Sequence, residues 1–148
     1  MTPMAFPVEI PFVGMLGFEL LKFENGEAEV ALTLRDELCN SWNVAHGGVT
    51  MTLLDVAMAH AARAPARGED VSSRGVVTIE MKTSFMRPGL GRVRAKGRML
   101  HATASLAFCE ASAFNEAGKL VAQATGTFKY LSGLSVGGRK IQRLDASD

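Results

Sequence analysis

One segment limits the fold more than any other. The loop Asn40-Ser41-Trp42-Asn43-Val44-Ala45 leads into His46-Gly47-Gly48, and from there an apolar helical pattern runs over 47–63 until Pro65 stops it. Thr52, Asp55, Ala59 and Arg63 fall on one stripe of that helix, and Leu53, Leu54, Val56, Ala57 and Met58 cover the rest. A helix apolar over most of its circumference belongs in an interior. Asp55 is the one carboxylate in it, and an ionised carboxylate there is costly unless something uses it.

The rest of the chain has to cover this helix. Residues 7–16 suggest a short helix or an irregular arm. Segments 17–23 and 27–34 flank Asn25-Gly26, the strongest short hairpin signal, because both central residues of a type I′ turn need positive φ. Within the second arm, Ala28, Val30, Leu32 and Leu34 alternate with Glu29, Ala31, Thr33 and Arg35. Residues 35–45 are expected to be loop. Beyond the helix, 76–86 is a strand candidate with Val77, Ile79, Met81, Thr83 and Phe85 on one face, ended by Arg87-Pro88-Gly89. Further strands are expected at 92–101, at 105–115 with Leu106, Phe108, Glu110, Ser112 and Phe114 on one side, and at 119–131 after the Glu116-Ala117-Gly118 turn. A hairpin, one long buried helix and consecutive antiparallel strands describe an α+β domain, an antiparallel sheet wrapped around one long central helix. From 133 the composition turns to glycine, serine and charge, so a single domain over 1–132 and a loose tail over 133–148 are expected.

Bulk properties exclude several classes. A net charge of +1 leaves no basic excess for a general nucleic-acid binder. Cys39 and Cys109 match neither a metal-ligand spacing nor a disulfide framework, which suits a reducing compartment, and His46, His60 and His101 form no zinc motif. The apolar N-terminus lacks a basic region and carries prolines and Glu9, unlike a signal peptide. The run 38–62 is broken by His46, Asp55 and His60, so it reads as a buried helix and not as a membrane span. A cytoplasmic protein with no membrane attachment is the expectation.

Asn40, His46-Gly47-Gly48, Asp55 within the helix, and a later strand ending Phe85-Met86-Arg87-Pro88 together resemble the hotdog-fold acyl-CoA thioesterases, in particular the PaaI-like subgroup. The resemblance spans 12–131. His-Gly-Gly alone is a weak motif; its spacing to Asn40 and Asp55 and the order of elements make it more specific. The resemblance implies a homodimer, itself pairing into a dimer of dimers (a homotetramer), with active sites between subunits. It also implies no metal and no organic cofactor, since coenzyme A arrives with the acyl-CoA substrate.

The same resemblance assigns roles. Thioester hydrolysis needs a polarised carbonyl, an activated nucleophile and a held substrate. The Gly47 amide, at a helix N-terminus, would stabilise the oxyanion. Asp55 would attack the carbonyl or activate water, with water activation favoured. Asn40 would orient the water or fix the loop, His46 would support that loop, and Thr78 would help to hold the water. From the residues themselves, Arg87, Arg92, Arg94, Lys96 and Arg98 cluster around one turn and the strand after it, so Gly48, Arg87, Pro88 and Arg92 are the candidates to hold the coenzyme A moiety, Arg87 foremost for phosphate. Each residue also has a plainer reading. The glycines can relieve crowding, Asp55 can pair with a cation such as Arg63, Asn40 can shape a turn, Thr78 can be an ordinary strand residue, and the basic set can be a solvated sheet face. Trp42 fits either the acyl pocket or the loop. Competing functions are a hydratase or dehydratase of the same fold and a non-catalytic acyl-CoA-binding protein. Helix rise adds a constraint, since eight residues place Gly47 and Asp55 about 12 Å apart along the axis. Gly47 of one chain is therefore expected to work with Asp55 of its neighbour.

Overall fold

The computed structural model describes residues 1–71 and 74–131; the expected tail, 133–148, lies outside the described residues. Among the described residues two α-helices, α1 (Pro11–Leu16) and α2 (Gly47–Arg63), accompany six strands: β1 (Glu19–Glu24), β2 (Glu27–Thr33), β3 (Gly75–Phe85), β4 (Arg92–Ala102), β5 (Leu106–Phe114) and β6 (Leu120–Leu131). They form one six-stranded sheet in the order β1-β2-β4-β5-β6-β3, antiparallel throughout. Asn25 and Gly26 have φ of 52° and 71°, as the hairpin turn between β1 and β2 requires. The loop before α2 holds a single 3₁₀ turn, Asp36–Leu38, and an isolated bridge from Cys39 to Ala45.

The strands after α2 are antiparallel as expected, but they are not all neighbours in sequence order. β4 pairs with β2, and β3 crosses to the far edge beside β6. Arg87-Pro88-Gly89 forms no tight hairpin. The chain instead passes beneath the start of α2, where the Ala45 amide donates to the Gly89 carbonyl and the Leu34 amide to the Gly91 carbonyl.

The sheet curls around α2 because its inner face is built from small side chains: Ala95, Gly97, Ala107, Ala111, Ala113, Ala122 and Ala124 are buried beneath the helix. Gly97 marks the closest approach; a Cβ there would stand 2.5 Å from the Ala57 carbonyl oxygen. Against this floor α2 buries Leu53, Leu54, Ala57, Met58 and Ala61. Its C-terminal carbonyls are met from the sheet, with the Tyr130 hydroxyl donating to Ala62 O at 2.7 Å.

In β3 the expected alternation holds for only half its length. The register slips between Thr78 and Glu80, a bulge at Ile79. Beyond it, Met81, Thr83 and Phe85 stand opposite Gly126, Ala124 and Ala122 of the inner face, as the pattern predicts. Before it the faces are exchanged, so that Thr78 stands opposite buried Phe128 and turns toward α2, whereas Val77 turns outward.

Candidate active site

Residues 47 and 48 open α2 in different ways. His46 is the N-cap, and its Nδ1 accepts the Gly48 N–H at 2.9 Å. The imidazole lies so close that a Cβ on residue 48 would stand 3.2 Å from Nδ1. The His46 carbonyl accepts the amides of Val49 and Thr50. Among the described residues the Gly47 N–H has no acceptor, so it is the free donor of the first turn, with the positive end of the helix dipole behind it. His46 therefore caps the helix with its side chain, while its own amide donates to the Leu38 carbonyl at 2.9 Å and ties the loop that carries Asn40. Asn40 Oδ1 accepts the amides of Trp42 and Val44 at 2.9 and 3.4 Å, a side-chain turn that shapes its own loop. Trp42 is 83% exposed on that loop.

Asp55 sits in the middle of the stripe that the sheet does not cover. Its Oδ1 accepts the Thr78 hydroxyl at 2.6 Å, a contact that depends on the bulge at Ile79. Burial raises the Asp55 pKa above the usual aspartate value, and the Thr78 hydrogen bond works against that rise. Among the described residues Asp55 has no ion pair; Arg63 Nε donates instead to the Arg74 carbonyl. Among the described residues this half-buried carboxylate is held on one oxygen only, and its raised pKa makes it a stronger proton acceptor than a solvated aspartate.

Two cavities flank the helix. The larger, about 680 Å³, lies among α1, α2 and β3; Gly48, Thr52, Asp55 and Thr78 supply its polar wall, and Val13, Ala59, Val76 and Met81 are among its apolar lining. The smaller, about 320 Å³, is lined by Asn40, Gly47, Thr50, Phe85, Arg87 and Pro88, among others. Within one chain, then, Gly47 and Asp55 open onto different cavities. Arg87 lines the second, and its Nη1 donates to the Leu120 carbonyl at 2.8 Å.

Arg92 borders neither cavity and stands on the outer face of the sheet, bonded to Glu19 and Thr33. Arg94, Lys96 and Arg98 share that face, where Arg94 meets Glu29, Arg98 meets Glu110 and Lys96 lies over the Phe114 ring. The basic run is thus interleaved with acids from neighbouring strands, whose positions the sequence order does not reveal. His60, given no role from sequence, lines the larger cavity. Among the described residues no three His, Cys, Asp or Glu side chains gather as metal ligands, and no helix is long and apolar enough to cross a membrane.

The sequence pattern of the thioesterase superfamily matches residues 43–122, from the loop before α2 into β6. The medium/long-chain acyl-CoA thioesterase YigI of Salmonella typhimurium is 29% identical over 135 residues, covering 83% of this chain and 87% of its own. Among solved structures, a conserved protein of Pseudomonas aeruginosa superposes with a TM-score of 0.75 at 34% identity, over 83% of this chain and 95% of the other. A variant of the phenylacetic acid degradation protein PaaI from Thermus thermophilus does so with a TM-score of 0.70 at 33% identity, over 82% and 100%. With its six-stranded sheet wrapped around α2, a helix that carries one acid, this chain belongs to the thioesterase superfamily and is a PaaI-like thioester hydrolase of the hotdog fold.

Proposed function

We propose that the protein hydrolyses acyl-CoA thioesters at sites formed between two copies of the chain. The Asp55 carboxylate carries this reading: it faces an open cavity, has a raised pKa, and is held on one oxygen by Thr78. YigI, named as a medium/long-chain acyl-CoA thioesterase, supports the substrate class.

In the reaction, Asp55 takes a proton from water, and the hydroxide adds to the thioester carbon. The resulting oxyanion is met by the Gly47 N–H, a donor in place before charge develops. The intermediate then collapses, breaking the C–S bond and expelling coenzyme A as thiolate. A thiol of ordinary pKa leaves without a dedicated acid. Asp55 returns its proton to solvent, and no metal or organic cofactor enters. Arg87, beside Pro88 and Asn40 at the second cavity, keeps further guanidinium donors for a coenzyme A phosphate, whereas Gly48 lines the cavity of Asp55.

Two copies are needed because of distance. Eight residues of helix separate the donor from the acid by about 12 Å along the axis, too far for both to serve one carbonyl. Antiparallel α2 helices side by side would bring Gly47 of one chain to Asp55 of the other. β3 gives the means: it is an edge strand of 11 residues that exposes Val77, Ile79 and Phe85, an edge suited to pair with its own copy. Dimers would pair again into a tetramer.

Gly47→Pro tests the oxyanion role. Proline is favoured at the first helical position, and His46, at φ −58° and ψ 138°, already has the conformation that a following proline demands. The substitution removes the N–H and keeps the helix. Thiol release from a panel of acyl-CoA esters should fall by about 10²–10³ in kcat, with the thermal midpoint little changed. Unchanged hydrolysis would remove Gly47 from the mechanism.

Thr78→Val tests the setting of Asp55. The Thr78 hydroxyl holds the Asp55 pKa down against burial, so its loss raises that pKa further. The base must be ionised, and the acid limb of the kcat/KM profile should therefore move to higher pH while the alkaline limb stays in place. A uniform loss at every pH would assign Thr78 to packing alone.

A further inference from the structure

One large side chain has no place in this chemistry. Trp42, the only tryptophan of the chain, is 83% exposed. An indole left in water forgoes the burial that most tryptophans find. The loop beneath it is closely bonded. The Asn40 amide donates to the Val44 carbonyl at 2.8 Å and the Asn43 amide to the Asn40 carbonyl at 3.1 Å, while the Asn40 side chain accepts the amides of Trp42 and Val44. Asn43 completes the turn at φ 59°, a conformation that asparagine tolerates better than most residues. A bridge from Cys39 to Ala45 ties the two ends together. Among the described residues no ring stacks on Trp42 and no cation lies over it. The main chain on both sides of the indole is thus fixed, and its face is left open. A ligand that stacks there meets a group already ordered, so little conformational freedom is lost on binding.

The loop residues that flank the indole border the smaller cavity: Asn40 and Val44 line it together with Gly47 and Arg87. That cavity therefore joins a free backbone donor to a guanidinium, and Trp42 projects from the loop that forms one of its walls. An aromatic face and a guanidinium on one cleft are the two groups that hold a nucleotide. The ring stacks on the base, whichever base it is, and the guanidinium takes phosphate. We propose that Trp42 stacks on the adenine of coenzyme A, so that the indole and Arg87 together hold the nucleotide end of the substrate. This rests on the acyl-CoA reading and on the assignment of the smaller cavity to the coenzyme A half. Adenine lies far from the bond that breaks, so the contact is the same before and during the reaction. Such uniform binding lowers KM and leaves kcat in place. It also makes Trp42 a reader of the leaving group, indifferent to the acyl group.

The fluorescence of the protein reads this directly, because Trp42 is its only tryptophan. Coenzyme A and adenosine 3′,5′-bisphosphate should each quench the emission in a saturable way. Pantetheine, which has no base, should leave it unchanged. Trp42→Ala should raise KM for an acyl-CoA by at least about fivefold with kcat kept, and should not alter kcat/KM for the same acyl group carried on pantetheine. Trp42→Phe, which retains a ring, should recover most of the loss. Emission indifferent to saturating coenzyme A, an unchanged KM in Trp42→Ala, or a rise shared by the pantetheine ester would each overturn the assignment. So would the blue-shifted emission of an indole already covered in the free protein, which would give Trp42 to a contact with a second copy of the chain. Any of these results with acyl-CoA hydrolysis intact removes only the role of Trp42. Hydrolysis of neither kind of ester overturns the thioesterase reading, and the quenching titration still decides whether Trp42 meets a nucleotide.

Discussion

Asp55→Ala is expected to lower kcat by about 10²–10⁴ while leaving the thermal midpoint unchanged or higher. The opposite signs follow from where the carboxylate sits. Asp55 lies in the interior of a helix, where alanine has the better propensity. Burial disfavours its charged form, and a single hydroxyl, that of Thr78, offsets this. The residue therefore works against the fold and for the chemistry, the usual trade at a functional position. Asp55→Asn is the matching control: its amide oxygen can still accept from Thr78, but an amide cannot take a proton from water. Both variants should be inactive and folded, as judged by thiol release and thermal melting. Activity and stability falling together would show that the carboxylate is structural, and activity near that of the parent would remove it from the mechanism.

Gly97→Val is expected to be the most damaging substitution in the sheet. A Cβ at Gly97 would stand 2.5 Å from the Ala57 carbonyl oxygen, 2.7 Å from its carbon and 3.1 Å from the Met58 nitrogen. All three are backbone atoms of α2, so no side chain can move aside; the helix would have to lift from the sheet. Overpacking a core costs about 1–3 kcal/mol and occasionally more; contact with rigid backbone belongs at the upper end, and valine should exceed alanine. Lifting α2 would also part Asp55 from Thr78, so activity should be lost with stability. Gly14→Ala gives the contrast, since nothing lies within 4 Å of its added Cβ and it sits inside α1; there alanine should be neutral or stabilising. Equilibrium denaturation of Gly97→Val, Gly97→Ala and Gly14→Ala measures the difference. A Gly97→Val protein as stable as the parent would mean that the helix does not sit where the small side chains place it.

How much of this was readable without coordinates depends on how local each feature is. The central helix follows from a local pattern, and so does the hairpin, because Asn25 and Gly26 are the residues that tolerate φ of 52° and 71°. The alternation in β4 and β5 is local too: Val93, Ala95 and Gly97 point inward with Ala107, Cys109, Ala111 and Ala113. What escaped was set by partners distant in the chain. The bulge at Ile79 is fixed by pairing with β6, and only the bulge turns Thr78 toward Asp55. The basic residues of β4 could not be matched with Glu19, Glu29 and Glu110 before the strand order was known. His46 and Asn40 were singled out on a motif, and here their hydrogen bonds serve a helix cap and a loop turn.

The central claim is that one active site draws Gly47 from one chain and Asp55 from another. It is tested most directly by mixing two inactive variants, Gly47→Pro and Asp55→Ala, through co-expression or joint refolding. Each homodimer has two damaged sites. In a mixed dimer one site combines the intact Gly47 of one chain with the intact Asp55 of the other, and both lesions fall in the second site. Random pairing of equal amounts makes about half of the dimers mixed, with one working site of two in each, so about a quarter of the parent activity should return. A mixture no more active than its parts, with mixed dimers shown to be present, would mean that each chain carries its own complete site and would contradict the account.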